Sequence, residues 1–175
     1  MNNLLRIPAV MLLTLMIFGW NSISAVGLKG RPQREQRVFD IAEKLKSAVK
    51  KKKRCWRLNR EELRRKDEAE QEWNCGKEWV RVDLIQYDSE AKAGETYREQ
   101  RDQIVQAPGR VIDTYHFGDE SRVTAYSPYS TSSYVFFRIG KIFVRIDSNL
   151  TRKGKTETTL KNATLFAQLL VNEMK

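Results

Sequence analysis

The residues best suited to chemistry are His116 and the run Phe117-Gly118-Asp119-Glu120. A histidine beside two carboxylates supplies the parts of an acid–base site, and a small secreted hydrolase using Asp119, Glu120 and His116 is one function these types allow. Adjacent residues of an extended chain point to opposite faces, however. Asp119 is better suited to closing the turn at Gly118. His116 is the sole histidine and falls in an expected strand, with Ile112 and Thr114 on its side. No G-x-S-x-G and no H-E-x-x-H motif occurs, so no oriented nucleophile or zinc-binding pair is signalled. Two cysteines and one histidine fall short of the three or four ligands of a zinc site. No metal, no cofactor and no catalytic residue is assigned. Enzymatic activity is the less favoured reading.

Binding is better represented. Residues 134–147, Tyr-Val-Phe-Phe-Arg-Ile-Gly-Lys-Ile-Phe-Val-Arg-Ile-Asp, read as two strands around Gly140-Lys141. Glycine at the first central position suits a type II′ turn, which sets the register. Ile139 then faces Ile142, Phe137 faces Val144 and Val135 faces Ile146, an apolar face. The opposite face pairs Arg138 with Phe143, Phe136 with Arg145 and Tyr134 with Asp147. A slip of one residue would scramble both sets. The second face has two uses. Arginine heads can lie over the opposite rings as a structural cation–π arrangement. Alternatively the four residues Arg138, Arg145, Phe136 and Phe143 form a platform that stacks on a ligand and holds its anionic groups.

A second candidate is the cationic run Lys50, Lys51, Lys52, Lys53 and Arg54. Cations at a helix C-terminus are favoured by the dipole, which explains the run structurally. It also suits an anionic surface. The whole chain carries 32 Lys+Arg against 22 Asp+Glu, a net charge of +10. Such a surplus favours acidic glycans, lipopolysaccharide, phospholipid headgroups or nucleic acid as partners, and otherwise keeps a protein soluble. Nucleic acid is not the expected partner.

Elements must position these groups. Val38, Ile41, Ala42, Leu45, Ala48 and Val49 repeat at helical spacing and predict a helix over residues 33–51. Residues 56–74 are rich in charge. Asn59 with Glu62 three residues on resembles a helix cap, so a charged helix is expected there. A disulfide between Cys55 and Cys75 would have to fold its ends together, because a helix over 60–72 spans about 18 Å. Such a bridge contributes roughly 3 kcal/mol in the chain-entropy account. Trp79 to Tyr87 alternates as a strand with Val80, Val82 and Leu84 on its dry side. A helix capped by Asp88 or Ser89 follows and ends at Ala107-Pro108-Gly109. Strands are expected over 110–117 and 121–126, then the hairpin, then a last helix over 157–174 striped by Leu160, Ala163, Ala167, Leu170 and Met174. That helix is the natural cover for the hairpin's apolar face. Asn149-Leu-Thr and Asn162-Ala-Thr match the glycosylation acceptor pattern, which is short and frequent by chance.

The first residues look like a targeting segment. Arg6 is followed by an uncharged, largely apolar run from Ile7 to Trp20 and by Asn-Ser-Ile-Ser-Ala. This fits a secretory signal peptide over residues 1–25. Residues 7–28 carry no charge and could anchor the chain if not cleaved. Lys29, Arg31 and Arg34 would then lie on the far side, against the positive-inside tendency. An apolar fraction of 41% suits one globular domain over residues 26–175, with a helical part over 33–78 and a sheet with helices over 79–175. An even cysteine count in an exported chain agrees with one disulfide.

From Trp79 onward, the strand and helix of Glu78-Trp-Val-Arg-Val-Asp, the Phe-Gly-Asp-Glu-Ser turn, the Arg138 hairpin and the terminal Ala-Thr-Leu-Phe-Ala-Gln-Leu-Leu helix carry a likeness. Residues 79–174 resemble small exported bacterial domains of unknown function with a PsbP/Mog1-like α/β/α pattern. The resemblance implies a non-enzymatic accessory or binding domain and brings no catalytic residues. The expected fold is α+β: an antiparallel sheet of four to five strands with packed helices. The expected protein is secreted or periplasmic, non-catalytic, and a binding or accessory domain at the cell envelope. Its expected partner is an anionic envelope component or a protein.

Overall fold

A computed structural model describes residues 33–52, 55–65, 67–105, 109–112, 114–126, 132–150 and 156–175. The expected signal segment over residues 1–25 lies outside them. The elements run α1 (Gln33–Lys52), β1 (Arg57–Arg64), β2 (Glu68–Cys75), β3 (Glu78–Gln86), α2 (Glu90–Val105), β4 (Gly109–Val111), β5 (Glu120–Tyr126), β6 (Ser132–Ile139), β7 (Ile142–Leu150) and α3 (Thr156–Met174). The strands form one sheet in the order β1-β2-β3-β7-β6-β5-β4, with every neighbour antiparallel. The fold is α+β, with seven strands where four to five were expected.

The two additional strands come from residues 56–74, where a helix was expected. The segment forms the β1–β2 hairpin instead, so the part over 33–78 is one helix followed by strands. Its few apolar residues pair across the ladder, Leu58 with Trp73 and Leu63 with Ala69. The disulfide Cys55–Cys75 explains why the hairpin wins. Its Cα atoms lie 5.2 Å apart, so the two ends of the segment must meet. A hairpin brings Arg57 opposite Asn74 with no further folding. A helix would hold those ends about two turns or more apart.

Residues 110–117 also depart from expectation. Only Gly109–Val111 is strand, extended by the bond from Ile112 N to Val123 O at 2.9 Å. The chain then leaves the ladder so that Phe117 can turn inward, 5.9 Å from the Phe137 ring. Ser121 Oγ accepts the freed Phe117 amide at 3.0 Å.

The central hairpin has the register the turn dictates. Ile139 pairs with Ile142, Phe137 with Val144 and Val135 with Ile146. Gly140 takes φ +56°, the left-handed value that the first central position of a II′ turn needs. Val80, Val82 and Leu84 of β3 continue this face beside β7. Helices α1 and α3 cover it. Leu45, Val49, Phe166 and Leu170 are fully buried there, each worth about 1.5–3 kcal/mol of burial. A polar stitch also docks α1 on the first hairpin: Gln71 Nε2 donates to Ala42 O (3.0 Å) and to Glu61 Oε1 (2.8 Å). Asn162 sits in α3 and donates to Glu78 Oε2 at 2.9 Å while almost fully buried.

Strand order explains α2. Strand β3 lies inside the sheet, yet the next strand, β4, is its far edge. The connection must pass β7, β6 and β5 on the face that α1 and α3 leave open. Helix α2 makes that crossing, and Ser89 caps it by accepting the Lys92 amide at 3.2 Å.

Candidate functional site

The crossing decides what the Arg–Phe face can do. Phe136 and Phe143 are almost wholly buried, packed with Tyr97 of α2. Their rings stack at 6.5 Å, and Tyr134 continues the stack at 6.2 Å from Phe136. Arg138 does not lie on Phe143. It donates from Nε to Glu120 Oε2 at 2.8 Å and from a terminal nitrogen to Gly140 O at 3.0 Å. Arg145 turns from Phe136 to Asp147, which it holds through two bonds of 3.0 Å each. Its guanidinium sits 5.9 Å from the Tyr134 ring centre. The two rings therefore serve as a small second core, and the two cations serve in ion pairs.

Asp119 and Glu120 are brought together on Arg138. Asp119 Oδ2 accepts the Gly140 amide at 2.7 Å and lies 3.2 Å from the Arg138 guanidinium. His116 is placed elsewhere, in an open depression against Lys161, Thr164 and Gln168 of α3. Among the described residues, no three His, Cys, Asp or Glu side chains are placed to hold a metal ion. No helix among them is long and apolar enough to cross a membrane.

Beyond α2 the same face of the sheet is open and charged. Across the ladder run Glu70, Asp83 and Arg145, and beside them Glu72, Arg81 and Asp147. Arg64 reaches Glu70 at 2.9 Å and Arg81 reaches Asp147 at 3.1 Å. Of these, Arg64, Glu70, Arg81, Asp83 and Arg145 line a groove of about 380 Å³, together with Thr96 and Gln100. Burial pushes Asp83 up from 3.8 to about 6, with Asp147 and Glu70 adding to the rise and Arg81 and Arg145 opposing it. A raised carboxyl binds its proton more tightly in the folded state than in the unfolded one. Stability from Asp83 is therefore present at pH 4 and lost as pH rises towards 6 and above. The loss is on the order of 2–3 kcal/mol. Asp83→Asn should remove it. Urea midpoints of wild type and variant, compared at pH 4 and pH 7, should move apart in favour of the variant at pH 7. Equal differences at both pH values would refute the assignment.

Further exposed cations lie at the end of α1 and along the outer strand β1. Lys50, Lys51 and Lys52 project from the last turn of α1, and Lys53 and Arg54 lie outside the described residues. Past the disulfide, the chain enters β1, where Arg57, Arg60 and Arg64 are exposed, as is Arg65 in the following turn. Sequence reasoning found the lysines and missed the arginines as part of the same edge, because it placed them on a helix. The cysteine spacing was the available signal. No family model, no curated protein and no solved structure matches this chain.

Proposed function

We propose that this protein is an exported, non-catalytic binding or accessory domain of the cell envelope that contacts an anionic macromolecule. The observation that carries the reading is the set of exposed cations Lys50, Lys51 and Lys52 at the end of α1 and Arg57, Arg60, Arg64 and Arg65 on and just after β1. On β1 these cations are interleaved with Glu61 and Glu62, while the chain as a whole is at +10. A cationic surface of this kind draws negatively charged partners and speeds their encounter. The disulfide supports an oxidising compartment. The apolar run at residues 7–20 supports export. The α/β/α layering that the resemblance implies belongs to the same reading.

Immobilised heparin is a suitable polyanion probe. Wild type should bind at low salt and release as ionic strength rises, since exposed charges are screened beyond about 10 Å at 0.1 M. The triple variant Lys50→Glu, Lys51→Glu, Lys52→Glu should bind at least about tenfold more weakly, taking roughly 1 kcal/mol per cation near an anionic surface as the guide. The three positions are exposed, so the fold should persist, at a cost of about 0.3–1 kcal/mol for each acid set against the C-terminal end of the helix dipole. Undiminished binding by the variant, or by wild type in 1 M salt (Debye length about 3 Å), would defeat the proposal.

A further inference from the structure

The groove beside α2 holds a carboxylate with no donor. Two cross-strand rows meet there: Glu70, Asp83 and Arg145, and next to them Glu68, Ile85 and Phe143. All six line the groove. Its arginines are committed to other acids. Arg145 gives two bonds to Asp147, and Arg81 reaches the same carboxylate at 3.1 Å. Arg64 bonds Glu62 at 2.8 Å and Glu70 at 2.9 Å. Asp83 is left with Arg81 Nε at 4.0 Å, beyond hydrogen-bond reach. Among the described residues, no hydrogen bond reaches Asp83 or Glu68. The Asp83 side chain is only 20% exposed, so an unpaired charge there is costly. Three arginines, Arg64, Arg81 and Arg145, stand against Glu68, Glu70, Asp83 and Asp147. The cluster is one positive charge short, within a chain that carries a surplus of cations.

The vacant acceptors narrow the chemistry of a ligand. An anion would meet guanidinium groups already bonded and two carboxylates that repel it. A divalent metal wants more acids than converge here, since no three are placed to hold one among the described residues. A hydroxyl would donate one bond and leave the charge uncompensated. A primary ammonium supplies both the charge and three donors. Asp83 and Glu68 are diagonal neighbours on adjacent strands, about 7–8 Å apart, so one ammonium between them can reach both carboxylates. Ile85 and Tyr87 follow Asp83 along the same side of the chain and also line the groove. They offer apolar surface to the methylenes of an ammonium-bearing stem.

We propose that this groove binds a primary ammonium on an alkyl stem, as carried by a lysine side chain, with Asp83 and Glu68 accepting its N–H bonds and Ile85 and Tyr87 bedding the stem. The site is separate from the exposed cations of α1 and β1, and it stands or falls independently of the anionic-partner reading.

The probe is lysine capped at both ends of its backbone, titrated into the full chain at pH 7 while backbone amide NMR shifts are followed. Binding in the millimolar range or tighter is expected, with shifts at Glu68, Asp83 and Ile85. Two analogues separate charge from donors. Acetylation of Nε removes the charge, and trimethylation of Nε keeps the charge and removes every N–H. Each should bind at least tenfold more weakly. Asp83→Asn should also weaken the probe at least tenfold, and it is expected to be the more stable protein at pH 7. Lowering the pH from 7 to 5 should weaken binding about tenfold, because Asp83, pushed up to about 6 by burial, takes up a proton across that range. The charged groups facing it are Glu70, Arg145, Asp147 and Arg81, with Arg64 and Glu68 beside them, while α2 lines the groove with uncharged Thr96 and Gln100. Absence of binding, shifts confined to other parts of the chain, equal binding of either analogue, or undiminished binding by Asp83→Asn would each overturn the proposal.

Discussion

Gly118→Ala should cost about 3 kcal/mol or more, the sum of a strained backbone and a clash that cannot relax cheaply. Gly118 holds φ +62°. A Cβ built there would lie 2.3 Å from the Arg138 carbonyl oxygen and 2.6 Å from Ile139 Cγ1. That carbonyl is not free to move, because it accepts the Asp119 amide at 2.8 Å. The same turn places the Asp119 carboxylate on the Gly140 amide, so two loops are fastened to each other at this point. Gly76→Ala is the control. Gly76 has a similar φ of +64° with nothing within 4 Å of the built Cβ. It should lose only the backbone contribution, about 1–2 kcal/mol. Urea denaturation of both variants separates the two effects. Equal losses would show that the close approach to Arg138 carries no energy.

Phe166→Ala should cost about 3–5 kcal/mol, the usual range for removing a fully buried ring. Its ring meets Trp56 edge-on at 5.1 Å and Trp73 at 5.9 Å. Trp56 follows the first cysteine of the disulfide and Trp73 lies in β2, so Phe166 ties α3 to the first hairpin. A whole domain has only about 5–15 kcal/mol of stability, so this one change should remove a large share of it. Phe166→Leu fills much of the space and should cost far less. The readout is again the denaturation midpoint, with tryptophan emission reporting exposure of Trp56 and Trp73. A loss below about 1 kcal/mol for the alanine variant would mean the site collapses to fill itself.

These two positions differ in how readable they were. The stripe of α3 was visible in its spacing, although Phe166 itself gained its partners from a segment read as helix. The Gly118 turn was visible as a turn. Its close approach to Arg138 depended on β5 lying beside β6. Among the candidate binding residues, the register of Arg138, Phe136, Phe143 and Arg145 was legible because one glycine bend sets it. Their availability was not, because it depends on where α2 travels. Lys50 to Lys52 were legible as exposed cations at a helix end. Arg57, Arg60 and Arg64 were not legible as an edge, because charged residues with sparse apolar neighbours fit a helix and a hairpin equally well on local pattern.

The amino-acid order alone determined what neighbouring residues can enforce: the II′ bend at Gly140, the alternation of β3, the stripes of α1 and α3, and the cysteine pair. All but the cysteine pair are set by side chains near one another in sequence; the pair, 20 residues apart, follows from there being two cysteines. Tertiary structure decided what distant segments share. Strand β3 pairs with β7, Val82 opposite Ile146. That pairing sends α2 across the Arg–Phe face and leaves β1 at the rim. No local pattern could specify it, because it depends on which apolar faces remain to be buried once every hairpin has formed.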